Sequence, residues 1–370
     1  MKFAVTRNSL LSELNLVQGV IEKKSTIPIL SNILIEASGD HLDIVATDLD
    51  VTIRCGCPAI VTEEGATTIS ARRIFDIVRL LPDGADIEMS LLENSWVELR
   101  SGNSRYKIVA LPNDSFPSIP EAPAMKAAIP GILMRGMIQR VAFAITQEES
   151  RYSLNGALLA LLQNEIRMVA TDGHRLALVS KEMELPGLES DVRALIPRKT
   201  LGEIQKLIGD QQDVVVEFGL DESHLFFTIG SRRLVSRVLA GQFPNYELVI
   251  PSGNDKFITS GAKSLIDGIK RAAIMADDKV RTIKLSFRSG ELELSANSSD
   301  AGESREVVPV EFDGEKLEIG FNPQYLIDFI SACGTDSISI AVKDSDTQGL
   351  LRPIGLEGID YRYVVMPMKI

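Results

Sequence analysis

Cysteine is scarce in this chain: three in 370 residues, Cys55, Cys57 and Cys333. So few cannot build the disulfide framework of a small secreted domain, and a reducing cytoplasm is the expected compartment. Histidine is as rare, at His41, His174 and His224, with no HExxH spacing; a histidine metal centre has no ligand set. No apolar run approaches the roughly 18 residues that span a bilayer. The N-terminal "MKFAVTRNSL" has neither an apolar stretch nor a small-residue cleavage site, so no signal peptide and no membrane partner are expected. Also missing are GxSxG, a P-loop and a GxGxxG leading into a helix, which leaves no recognisable nucleophile, nucleotide site or cofactor site.

What is present is an ordinary globular balance, 45% hydrophobic and 24% charged, on a chain long enough for two or three domains. Its net charge is −12. Taken whole, that argues against phosphate contact, which needs clustered Lys and Arg; the distribution of charge decides the matter.

An internal repeat organises the chain. "LDIVATDLDVTI" (42–53) answers to "IRMVATDGHRLAL" (166–178), and a fainter echo, "LELSANSSDAGES", begins at Leu292. "TTISARRIFDIVRLLPD" (67–83), "ALIPRKTLGEIQKLIGD" (194–210) and "LEIGFNPQYLIDFISAC" (317–333) keep the same step, each reading as strand, turn and amphipathic helix. An earlier helix leads each copy: "RNSLLSELNLVQGVI", "PGILMRGMIQRVAFAI" and "GAKSLIDGIKRAAIM". Period-two stretches between them read as half-buried antiparallel strands. "DSFPSIP", "GQFPNYELVIP" and "YVVMPMKI" are expected as closing strands, with linkers at 118–130 and 249–257. The fold class is therefore α+β, with three repeated domains at 1–125, 126–251 and 252–370. Each lays two helices on antiparallel sheet.

The repeat bears on the one cluster of reactive types, Asp172, His174 and Arg175. Asp48 occupies the place of Asp172 in the first copy, where "LDVT" follows in place of "GHRLA". A Thr-Asp pair ending a strand hydrogen-bonds the turn after it, so the aspartate is read as structural, and His174 as a turn or cleft residue. "CGCP" (55–58) supplies two thiols but no second pair for zinc, and reads as strand cysteines. Trp96 reads as strand packing.

Positive charge concentrates on the helices. The six helical segments together carry about +8, four of them +2 each, which leaves about −20 on strands and loops. A shared basic helical face within an acidic shell suits sequence-independent, salt-sensitive phosphate binding. On the residues alone two other readings stay open: a hydrolase or transferase using His174 with Asp172 or Arg175, and a repeat scaffold with no DNA role.

The motifs "MKF", "TIPILSNILIEA" (26–37), "ISARRIFDIVRLLP" (69–82), "RYSLNGALL" (151–159), "VATDGHRLAL" (169–178), "IPRKTLGEI" (196–204), "QFPNYELVIP" (242–251), "EIGFNPQYLIDFI" (318–330) and "YVVMPMKI" together resemble the bacterial sliding clamps, the beta subunits of DNA polymerase III. The likeness covers the whole chain. It implies the DNA-clamp fold and a head-to-tail homodimer closing a six-domain ring, with helices lining the hole. It implies a processivity factor and not an enzyme, cytoplasmic and associated with the nucleoid. Such a ring encircles double-stranded DNA without sequence specificity and tethers the replicative polymerase catalytic subunit. A clamp loader opens it, and other polymerases and repair proteins dock through a short Gln- and Leu/Phe-containing motif.

Matched residue by residue, the resemblance assigns Lys24, Arg73, Arg151, Tyr152, Arg198 and Lys199 to DNA. Ser153 stands where the family often has a second tyrosine. The resemblance places the peptide pocket at Leu154, Thr171, Gly173, His174, Arg175, Leu176, Pro244, Val249, Asn322, Tyr325, Val364, Met366, Pro367 and Met368, with His174 and Arg175 supplying rim polarity and orientation. Leu248 stands where some relatives are basic. Tyr106 and Ile108 are expected to meet Ile274 and Met275 at the dimer seam.

Overall fold

The computed structural model describes residues 1–22, 27–148, 150–277, 281–299 and 302–370. Six α-helices occur among them: α1 (Arg7–Val17), α2 (Ala71–Leu80), α3 (Gly131–Val141), α4 (Arg198–Ile208), α5 (Ala262–Ala273) and α6 (Pro323–Cys333). Local chemistry sets several of their ends. Thr6 caps α1 by accepting from the Ser9 amide at 3.3 Å. Asn322 caps α6, with Pro323 in the first turn, and Gly334 at φ +73° stops it.

Each third of the chain follows one order: strand, helix, four strands, helix, three strands. The first third adds one short strand, Ile60–Glu63. Period-two burial builds the core, as in Val51–Pro58, where Val51, Ile53, Cys55 and Cys57 all point inward. Burial pushes both thiols up, with Glu13 adding to it, Cys57 to about 11, so neither is a ready nucleophile or ligand. Trp96 departs from expectation: it is 41% exposed at the start of its strand.

Two compact units form, and they do not follow the repeat. The first comprises Met1–Arg135 and Lys199–Val238, and the second Gly136–Arg198 and Leu239–Ile370. The reason lies in strand pairing. The eighth strand of the middle copy, Arg232–Arg237, bonds the fourth strand of the first, Val51–Pro58, through Arg233↔Arg54 to Ser236↔Val51. This makes one thirteen-stranded sheet in the first unit. The eighth strand of the last copy, Asp360–Val365, bonds the fourth strand of the middle copy, Arg175–Glu182, through Arg175↔Val365 to Ser180↔Asp360. That makes an eight-stranded sheet in the second unit, beside a separate four-stranded one. Backbone ladders thus cross the copy boundaries, and the middle copy contributes a sheet to each unit.

Two expectations for the closing segments change. Residues 112–126 and 238–255 are irregular apart from short 3₁₀ turns at Asn113–Ser115 and Tyr246–Val249. Their prolines lack the donor a ladder requires. The end of the first expected linker is instead a strand, Ala127–Pro130, paired to Val215–Phe218.

Candidate functional site

The turn that opened the question of catalysis is built twice. Asp48 Oδ1 accepts from the amides of Asp50 and Val51 at 3.0 and 2.7 Å, and Thr47 Oγ1 from that of Leu49 at 3.1 Å. Asp172 Oδ1 likewise accepts from His174 and Arg175 at 2.9 and 3.0 Å, and Thr171 Oγ1 from Gly173 at 3.1 Å. Both turns need a left-handed residue, Leu49 at φ +77° and Gly173 at φ +90°. The aspartate's oxygen is spent on backbone donors, as the repeat implied. His174 is exposed, its carbonyl accepting from the Met366 amide at 2.9 Å.

Arg175 is not rim polarity. Its side chain is only 10% exposed and is held on every side. Nε meets Asp172 Oδ2 at 3.0 Å, Nη1 meets Asp328 Oδ2 at 2.6 Å, and Nη2 donates to the Phe143 carbonyl at 2.6 Å. The guanidinium lies 4.3 Å from the Tyr325 ring centroid and 5.4 Å from that of Phe143. Burial works to lower its pKa, but Tyr363, Asp328 and Asp172 outweigh that and hold it above the ordinary arginine value. Arg175 therefore ties the 171–175 turn to α6 and to the segment after α3. Phe143 and Asp328 complete this support; an arginine fork's partners, 32 and 153 positions away, leave no sequence signal.

Around the turn the structure brings several of these residues together. Leu176 pairs with Val364 across the strand junction, and both belong to one buried cluster with Leu158 and Val169, against which Val249 packs. Met366 is 37% exposed at the lip. Met368 is fixed by its amide to the Gly320 carbonyl at 2.8 Å and receives the Thr282 hydroxyl at its sulfur, 3.5 Å. Tyr325 is half-buried on α6, and its carbonyl accepts from the Tyr363 hydroxyl at 3.0 Å. Asn322 has its Oδ1 engaged in capping α6, which leaves its amide nitrogen for a ligand. Leu154 and Pro367 are half-buried and Pro244 is exposed. Leu248, 83% exposed, adds apolar surface where a basic side chain would add charge. The result is a buried apolar cluster beneath the exposed 173–174 turn, with Met366 exposed beside it.

The residues assigned to DNA divide. Arg73 on α2 and Arg198 at the start of α4 are exposed, with no side-chain ion pair among the described residues. Tyr152 is 70% exposed. Lys199 is already paired, its ammonium on Asp48. Arg151 lies against the peptide turn: Nη1 donates to the Asp172 carbonyl at 2.8 Å and Nε meets Glu148 at 3.0 Å. Lys24 lies outside the described residues.

At the expected seam, Ile274 is 72% exposed and Tyr106 and Met275 are half-buried. Ile108 needs correction: at 3% exposure it is core, set opposite the buried Val97. Alternation along Ser104–Leu111 turns Ile108 and Ala110 inward and Arg105, Lys107 and Val109 outward.

Among the described residues no group of three or more His, Cys, Asp or Glu side chains could hold a metal ion. No helix among them is long and apolar enough to cross a membrane.

Three copies of strand, helix, four strands, helix and three strands, with sheets continued across the copy boundaries, define the DNA-clamp architecture. The N-terminal, central and C-terminal domain families of the DNA polymerase III beta subunit match residues 1–120, 128–245 and 247–369. The chain is 36% identical to the beta sliding clamp of Pseudomonas putida and 35% identical to that of Pseudomonas aeruginosa, covering all of each. Its fold superposes on a DNA polymerase sliding clamp from Pseudomonas aeruginosa with a TM-score of 0.94 at 35% identity. The score is 0.95 at 33% identity for a sliding clamp from Bartonella birtlesii bound to griselimycin; all of both chains is covered in each case. The chain belongs to the DNA polymerase III beta subunit family.

Proposed function

We propose that this chain is a DNA sliding clamp whose copies close head to tail into a homodimeric ring of six domains around duplex DNA. The domains are 1–125, 126–251 and 252–370. One observation carries the closure. In both junctions within the chain, the eighth strand of one copy bonds the fourth strand of the copy before it. By that rule the eighth strand of the first copy, Ser104–Leu111, needs a fourth strand from a last copy, and that strand is Gly302–Pro309. Both have open edges among the described residues. Ser104–Leu111 is bonded on one side only at Ala110 and Leu111, and Gly302–Pro309 ends its sheet. Open edges of this length are templates for pairing. Charge favours the unlike pair: one edge bears Arg105 and Lys107, the other Glu303 and Glu306 against Arg305, although Arg105 and Glu306 are already paired within the chain with Glu98 and Arg271. Tyr106, Ile274 and Met275 supply apolar contact beside the ladder.

The helices then face DNA through weak, diffuse phosphate attraction, with Arg73, Arg198, Tyr152 and Lys24 as the contacts, and Lys199 and Arg151 contributing through their fields. A ring that slides needs no base contact. The pocket at Leu176, Val364 and Met366 receives the short motif of the polymerase, the clamp loader and repair proteins. The protein acts in the cytoplasm, at the nucleoid, as a tether and not a catalyst, with Asp172 committed to its turn.

The test is topological. Protein loaded by a clamp loader and ATP on nicked circular plasmid should co-elute with the DNA at high salt and be lost when a restriction enzyme linearises it. Equal retention on circular and linear DNA would refute encirclement.

A further inference from the structure

The sheet face that floors the peptide pocket continues past it. Leu158 and Leu195 are direct cross-strand partners, and both belong to the buried cluster that contains Leu176 and Val364. The segment from Leu239 to Ile250 crosses this face, with Leu239, Phe243, Val249 and Ile250 packed on the cluster. Between that segment and the edge strand Val192–Pro197 runs an open groove of about 670 Å³. Leu158 and Leu195 floor it, residues 241–247 wall it, and its lining includes Pro244, a residue also assigned to the peptide pocket. Two charged side chains line it, Glu247 and Arg193. Glu247 is held 3.0 Å from Arg167 Nη1. Arg193 is exposed, with no side-chain ion pair or hydrogen bond among the described residues. The groove thus has a mixed lining, with Gln242 and Asn245 beside Phe243 and Pro244, a floor that belongs to the same buried cluster as Leu176 and Val364, and one uncompensated guanidinium on its wall.

We propose that this groove extends the peptide site, and that Arg193 receives the carboxylate of an acidic residue flanking the apolar core of the docked peptide. The inference rests on the peptide-pocket reading above. An arginine fork matches a carboxylate in two parallel hydrogen bonds. Because the pair sits at a wet rim, it selects among partners more than it adds affinity.

The experiment is fluorescence anisotropy on the intact protein with three labelled peptides sharing one Gln- and Leu/Phe-containing core. One carries serine flanks, one an Asp-Asp pair before the core, and one an Asp-Asp pair after it. One acidic peptide is expected to bind about fivefold tighter than the serine-flanked one. That advantage should vanish in Arg193→Ala and reverse in Arg193→Glu, with the serine-flanked affinity unchanged. Acidic peptides that bind no tighter, or an advantage that survives Arg193→Ala, would overturn the proposal and leave the pocket reading standing. Failure of the pocket reading shows separately: the serine-flanked peptide would then fail to distinguish the native protein from Met366→Asp.

Discussion

Replacing Arg175 by alanine should cost far more than an exposed arginine would. The side chain is 10% exposed, and its carboxylate partners Asp172 and Asp328 are 14% and 22% exposed. Removing one member of a buried pair leaves an uncompensated charge and costs roughly 3–5 kcal/mol. Here both carboxylates keep other donors: Asp172 retains two backbone amides, and Asp328 retains the Gln324 side-chain amide at 2.6 Å. The cost therefore falls at the lower end, about 3 kcal/mol. For a unit of roughly 200 residues this lowers Tm by about 6–12 °C. Differential scanning calorimetry reads the shift. A double-mutant cycle with Asp328→Asn should return a coupling of about 1 kcal/mol or more, because Asp328 no longer carries a stranded charge. Peptide affinity should fall in the same variant, since Arg175 braces the turn beneath the pocket. A Tm within about 2 °C of native, or strict additivity with Asp328→Asn, would mean that the guanidinium is solvated in solution and that the bracing argument is wrong.

Other consequences are narrower. Gly173→Ala places a Cβ 2.9 Å from Arg151 Nη1 at φ +90°; the backbone cost of about 1–2 kcal/mol should appear as lost stability in a urea titration, and peptide binding should weaken in an anisotropy titration as the turn relaxes. Arg198→Ala should lower the slope of log K against log salt for DNA by about one, whereas Lys199→Ala, whose ammonium is already on Asp48, should move it less. At Glu165 burial pushes the carboxyl up, but hydrogen bonds from Arg167 and Ser180 outweigh it and hold the pKa below the usual glutamate range. A depressed carboxylate adds stability above its unfolded pKa of about 4.3 and loses it as pH falls through the folded value. The native protein should therefore be more stable than Glu165→Gln at pH 7, with the gap closing below about pH 4; urea titrations across that range give the answer.

The repeat was legible because its turn chemistry is local. Asp48 and Asp172 each act within three residues, so the same letters recur wherever the same hydrogen bonds do. Helices showed for a similar reason, through apolar spacing such as Ala71, Ile74 and Val78. Long-range pairing left no such trace. Val235 meets Thr52, and Ala177 meets Tyr363, across nearly two hundred positions, so the joining of sheets across copy boundaries had to be seen. The candidate site divided along the same line. Leu176, Val364 and Val249 were recoverable from motifs, and the structure brings them together. Arg175 read as a rim residue because its partners Phe143 and Asp328 are distant in sequence, and the pairing of Lys199, assigned to DNA, with Asp48 was hidden by a separation of 151 positions. Ile108 was assigned to the seam without knowledge of which face of its strand is covered.

Ring closure through Ser104–Leu111 and Gly302–Pro309 is the claim on which the rest depends, and solution mass with scattering tests it directly. Native mass spectrometry and small-angle X-ray scattering at micromolar concentration should give twice the chain mass and a pair-distance curve with a central hollow. Arg105→Glu combined with Lys107→Glu should reduce the species to a monomer. A compact monomer for the native protein, or a dimer indifferent to those reversals, would contradict the strand-pairing account.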